Sequence, residues 1–171
     1  MTGSRRLLLV GGGHAHVEVL RCLAAEPIEG LETVVASERS HSVYSGMVPG
    51  WVAGQYRSDE IEIDVEALAH RARARWIRSR AIGLSPGPRQ IHFEDGSECE
   101  YTLASLDVGA SVAGLDVPGV REHALLSRPI AELVERFARL APDSIAVVGG
   151  GAEGVAGDMG AFEVKTDIVL V

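Results

Sequence analysis

The stretch R-R-L-L-L-V-G-G-G-H-A-H-V-E-V, residues 5–19, decides how this chain reads. Leu7, Leu8, Leu9 and Val10 make an apolar run with strand character, and Gly11, Gly12 and Gly13 follow at once. From about His14 a helical spacing begins, carrying Val17, Leu20, Leu23 and Ala24 on one face. Strand, tight turn and helix in that order form the first half of a βαβ unit. A side chain at Gly11 or Gly13 would keep a phosphate away from the amides that open the helix. Those unpaired N–H groups, with the positive end of the helix dipole, form an anion site. The spacing is G-x-G-x-x-H, with His16 standing where a third glycine normally lets helix and strand pack closely. The reading is dinucleotide binding, with the helix held slightly off its strand.

Composition narrows the class. A chain of 171 residues suits one domain, or one domain with a truncated second. With 46% hydrophobic and 23% charged residues it reads as a core-forming α/β protein. A formal net charge of −8 argues against nucleic acid or an anionic membrane as a general partner. Arg71, Arg73, Arg75, Arg78 and Arg80 alternate as the solvated side of a helix end and strand. Cys22 and Cys99 form no C-x-x-C or C-x4-C pair, so neither a local redox disulfide nor a zinc knuckle is expected. Cys22 is placed on the buried side of the first helix, as a core residue. No run approaches the roughly 18 apolar residues of a membrane span. Ser4 to Leu9 resembles a twin-arginine export signal, but His14, His16 and Glu18 interrupt the apolar core it would need. The expected location is the cytoplasm.

After the first helix, Glu32 to Ala36 reads as a second buried strand of a parallel sheet. Its end should carry an acceptor for ribose hydroxyls, and Glu38, or Ser37 as a hydroxyl substitute, takes that role. Arg39 to Tyr56 has no clean period and mixes glycines and Pro49 with Tyr44, Met47 and Trp51. Long irregular segments within a compact domain tend to be functional, and these apolar residues suit a flat wall for a ring system such as a flavin. Asp64 to Arg73 reads as a helix with Asp64 as N-cap. Trp76 to Leu84 reads as a strand, and Gln90 to Glu94 with Glu98 to Thr102 as a hairpin about Asp95-Gly96. Leu103 to Gly109 reads as a buried strand ending in a glycine turn, and Ile130 to Leu140 as an amphipathic helix. His14 and His16, two apart on a helix, point to different faces and cannot share one metal. His14, at the helix start, either donates to a phosphate or caps the turn. No metal site is expected.

The opening phrase then repeats. Ser144 to Val148 leads into Gly149-Gly150-Gly151-Ala152-Glu153-Gly154, with all three motif glycines present. Two such turns are far more specific than one, and the ordinary chemistry joining two bound dinucleotides is hydride transfer.

On four motifs in order, the chain resembles the pyridine nucleotide-disulfide oxidoreductases. Within them it is similar to the type II NADH dehydrogenase branch and to the flavin domain fused to selenide, water dikinase. The motifs are V-G-G-G-H-A-H-V at Val10 to Val17, Y-S-G-M-V-P-G at Tyr44 to Gly50, L-D-V-G-A at Leu106 to Ala110 and I-A-V-V-G-G-G at Ile145 to Gly151. The resemblance implies FAD on the first Rossmann unit and NAD(P)H on the second. It places Gly11, Gly12, Gly13, His14 and Ala15 at the FAD pyrophosphate, and Ser37 or Glu38 at the adenosine ribose. It places Ser45, Gly46, Met47 and Pro49 near the flavin ring, and Asp107, Val108 and Gly109 close to the FAD. Gly149, Gly151 and Gly154 would receive the nicotinamide dinucleotide. The missing C-x4-C pair removes dithiol chemistry and leaves direct hydride transfer to an acceptor such as a quinone.

The expected fold is α/β. Residues 1–142 form a Rossmann-like FAD-binding domain, a parallel sheet with helices and a small antiparallel meander. Residues 143–171 form the truncated or divergent start of an NAD(P)-binding domain, so the chain alone is expected to be weak or inactive as an oxidoreductase. Two rival readings stand beside this one. One is a non-catalytic nucleotide-binding or partner-docking module, associating with a second copy through an exposed sheet edge. The other is a single-Rossmann NAD(P)-dependent dehydrogenase.

Overall fold

The structure is a computed structural model and describes residues 5–140, 145–147 and 168–170. The chain divides into two compact units, Met1–Ser42 with Ile63–Gly109, and Val43–Glu62 with Ala110–Val171. Each is treated separately.

The first unit begins with β1 (Arg5–Val10), α1 (His14–Ala25) and β2 (Leu31–Ala36). The chain then passes through a two-stranded ribbon, β3 (His41–Val43) with β4 (Glu62–Asp64). Between these strands lie 3-10 turns at Ser45–Met47 and Ser58–Ile61 and the short α2 (Val48–Val52). After β4 come α3 (Val65–Arg71), β5 (Arg75–Ile77), β6 (Ala81–Ser85), β7 (Gln90–Phe93), β8 (Glu98–Glu100) and β9 (Leu103–Leu106). The parallel sheet runs β5-β2-β1-β9, with Leu8 opposite Val34 on one side and Ala104 on the other. Alternate residues of β1 face opposite ways, as the strand period requires. Leu9 packs with Leu20, Leu23, Val65 and Leu68 of α1 and α3. Leu8 and Val10 pack with Ile91, Phe93 and Cys99 of the antiparallel β6-β7-β8 meander. One face of the sheet is therefore covered by helices and the other by a small β-layer, which is why β1 and β2 are apolar at consecutive positions.

Local signals account for most of these elements. Asp64 caps α3, its Oδ1 accepting the Ala67 amide at 2.8 Å. At the β7–β8 turn Gly96 takes φ +81°, while Asp95 Oδ1 accepts from the Ser97 amide at 3.0 Å and the Ser97 hydroxyl at 2.7 Å.

Three expectations are corrected. The strand over Trp76 to Leu84 is two strands: β5 pairs parallel with β2, and β6 pairs antiparallel with β7. Hydrophobic period reports strand character but not which sheet a strand joins, so Arg78-Ser79-Arg80 passes unnoticed as the crossing. The strand after Thr102 is not buried. At the sheet edge among the described residues, β9 leaves Leu103 64% and Leu106 58% exposed. Cys22 is also exposed, with its thiol directed at Glu18 Oε1 at 3.4 Å. It stands two residues from buried Leu20, and about 200° of helical rotation carries it to the opposite face.

In the second unit, Val43, Val48, Ile61, Leu125, Leu133 and Val134 form the core. Its further elements are α4 (Val120–His123), β10 (Ala124–Leu125), α5 (Ile130–Phe137), β11 (Ile145–Val147) and β12 (Ile168–Leu170). The last three strands in space run β10-β12-β11, all parallel. Among the described residues no helix is long and apolar enough to cross a membrane.

Candidate dinucleotide site

The turn between β1 and α1 is pinned from both neighbouring strands. The Gly11 amide donates to Ala36 O of β2 at 2.7 Å, and the Asp107 amide, just past β9, donates to Val10 O at 2.8 Å. Gly11 takes φ +100°. A Cβ on Gly11 would run into the Asp107 backbone carbonyl, so both conformation and space demand glycine there. Gly13 is the N-cap of α1 in extended geometry, with no side-chain cap. A Cβ there would strike the Asp107 carboxylate instead. At Gly12 the nearest atom to a Cβ is Ser37 Oγ at 3.4 Å, so this glycine is not sterically compelled.

Two residues of the β9 strand and its exit, Ser105 and Asp107, reach the first turn of α1. Asp107 Oδ2 accepts the Ala15 amide at 3.0 Å. Ser105 Oγ lies 2.9 Å from His16 Nε2, and His16 Nδ1 lies 2.8 Å from Gly11 O. A carbonyl only accepts, so Nδ1 carries the proton and, in the neutral ring, Nε2 accepts from the Ser105 hydroxyl. At 1% exposure His16 fills the seam where a third glycine would have closed it. The role of His16 escaped the sequence reading, although its place in the glycine spacing was the signal. His14 is exposed on the same turn.

At the end of β2, the Ser37 hydroxyl donates to Arg39 O at 3.0 Å. The Glu38 carboxylate is gripped by Arg80, with Nε–Oε1 at 2.7 Å and Nη2–Oε2 at 3.3 Å. Both expected ribose acceptors follow the end of β2, and Ser37 Oγ lies 3.4 Å from where a Gly12 Cβ would sit. Glu38 is oriented by a guanidinium that spacing gave no means of finding. Val108 is 68% exposed and Gly109 takes φ +79°.

The structure places Ser45, Gly46, Met47 and Pro49 in the second unit, on the 3-10 turn and the start of α2. Met47 and Trp51 pack against the core of that unit, and Trp51 meets Phe137 edge-on at 5.6 Å and 62°. The apolar content of this segment is thus spent largely on its own core, with Tyr44 left 44% exposed. Gly149, Gly151 and Gly154 lie outside the described residues. No group of three or more metal-ligating side chains occurs among the described residues. A cleft of about 380 Å³ lined by Leu23, Ile28, Leu31 and Arg73 sits where α1 ends and β2 begins, away from the glycine turn.

A strand–glycine turn–helix whose Ala15 amide holds a carboxylate has the backbone shape to receive a diphosphate, since helix-opening amides favour anions. This is a Rossmann-like nucleotide-binding fold. The family model for pyridine nucleotide-disulphide oxidoreductases matches residues 5–171, and the chain belongs to that family. No curated protein matches it. Among solved structures it is similar to putidaredoxin reductase in its covalent complex with putidaredoxin, at TM-score 0.77 and 18% identity over 99% of this chain. It is also similar to the water-forming NADH oxidase of Lactobacillus brevis bound to NADH, at 0.76 and 17% over 92%. A third is NDH2 of Plasmodium falciparum in complex with NADH, at 0.69 and 14% over 89%. The chain spans 42%, 37% and 35% of those three proteins.

Proposed function

We propose that this chain is the FAD-binding part of a flavin-dependent NAD(P)H oxidoreductase that passes electrons to an acceptor such as a quinone. The observation that carries the reading is the glycine turn closed by Asp107, within a chain the family model matches almost throughout. In this reading the turn from Gly11 to Ala15 holds the diphosphate on the amides that Asp107 leaves open, and Glu38 or Ser37 meets the adenosine ribose. Arg80 keeps the Glu38 carboxylate in place. The family resemblance, and not a contact between the two units, supports Asp107, Val108 and Gly109 close to the FAD, Ser45, Gly46, Met47 and Pro49 near its ring, and Gly149, Gly151 and Gly154 at the nicotinamide dinucleotide. FAD, when bound, supplies the hydride-accepting ring, while the protein supplies binding and orientation. The proposed location is the cytoplasm.

Titrating FAD into the purified chain tests this, with quenched flavin fluorescence and a shifted flavin spectrum expected. A spectrum unaltered at saturating protein overturns it, and uptake of NADPH in preference to FAD favours a single-Rossmann dehydrogenase. The exposed Leu103 and Leu106 on β9 favour one second reading, a docking module that pairs this edge with another copy. Concentration-dependent sedimentation without flavin uptake would select it.

A further inference from the structure

We propose that Asp107 sets the charge selectivity of the glycine turn, admitting diphosphate diesters and disfavouring terminal phosphates. The inference rests on the dinucleotide reading above and adds a ligand class to it.

The Asp107 backbone cannot withdraw from the turn. Its amide is bonded to Val10 O at 2.8 Å, and its carbonyl lies where a Gly11 side chain would be. Its carboxylate is half-buried in the space that Gly13 leaves by lacking a Cβ, and it takes the Ala15 amide at 3.0 Å. A diphosphate on the remaining amides of this turn therefore lies beside a fixed negative charge, or displaces it from Ala15. While it stays, the repulsion grows with the charge the ligand brings, and turning it off Ala15 caps that penalty at about fivefold. The diphosphate of a dinucleotide is esterified at both ends, whereas a nucleoside diphosphate carries an additional terminal charge. One extra charge beside a carboxylate that can turn away at the loss of one hydrogen bond is therefore worth up to about fivefold in affinity.

The test compares ADP-ribose with ADP, which share the adenosine diphosphate and differ in esterification, alongside FAD, by calorimetry or FAD displacement. The wild-type chain is expected to bind ADP-ribose about three- to fivefold more tightly than ADP, a measurement that needs no variant. Asp107→Asn retains an oxygen able to accept from Ala15, and should tighten ADP more than ADP-ribose or FAD and shrink the preference to about twofold. Equal wild-type affinities overturn the inference, as does an Asn variant whose preference is unchanged or whose affinities all fall together. In each of these cases FAD still binds and the dinucleotide reading stands. If wild type and variant bind none of the three ligands, that reading fails and takes the inference with it.

Discussion

His16 Nε2 lies 2.9 Å from the Ser105 hydroxyl, while the other ring nitrogen holds the Gly11 carbonyl at 2.8 Å. One buried ring therefore ties the turn after β1 to strand β9, and it does so from the position that a glycine usually fills.

Restoring that glycine should harm the protein. His16→Gly leaves a hole in the helix–sheet seam and strips the partners from a carbonyl and a hydroxyl. The expected cost is on the order of 2–4 kcal/mol in urea unfolding. A loss below about 0.5 kcal/mol, the range of an ordinary surface substitution, would show that the ring is not what holds the turn.

The three glycines should differ sharply. Gly11→Ala meets backbone at a positive φ and is expected to cost about 3–5 kcal/mol. Gly13→Ala meets only the end of the Asp107 side chain, which can rotate away at the loss of its bond to Ala15, about 1 kcal/mol. Gly12→Ala has room and should change stability by less than about 0.5 kcal/mol. Denaturation midpoints of the three variants check the order, and equal losses at Gly11 and Gly12 would contradict it.

The two thiols offer a direct check on the packing. Cys22 is exposed, whereas Cys99 is 2% exposed between the sheet and the meander. A maleimide followed by mass spectrometry should label Cys22 in the folded chain and Cys99 only after unfolding. Equal labelling rates in the native state would rule out the observed placement of β8.

Acid should weaken α1 through Glu18. The Arg21 guanidinium, and after it the Cys22 thiol, hold the Glu18 carboxyl down at about 2 from an ordinary 4.5. A carboxyl depressed in the folded state adds stability above its unfolded pKa, and that stability fades as pH falls from about 4.5 towards 2. The pair is exposed and screened by salt, so the effect is small. In low salt the melting-point gap between wild type and Glu18→Gln should close across that window. A gap that persists unchanged at pH 2 would contradict the pairing.

Several features were legible because their causes are local. The apolar run ending at Gly11, the Asp64 cap, the Asp95-Gly96 turn and the inward face of α5 all follow from residues within a few positions of one another. The break between β5 and β6 and the place of β9 at the sheet edge were not legible, because each depends on which distant strand supplies the hydrogen-bond partners. Cys22 was misplaced by a helix-face error that its neighbours Leu20 and Leu23 correct.

By itself the sequence determined that a strand, a side-chain-free turn and a helix open the chain, since glycine content and apolar spacing act within that segment. Only the tertiary structure decided that Asp107 fills the space Gly13 leaves open, that His16 bridges Gly11 and Ser105, and that Arg80 holds Glu38. Apart from His16 to Gly11, those contacts join residues far apart in the chain, and nothing in local spacing says which remote side chain the folded sheet brings to the turn.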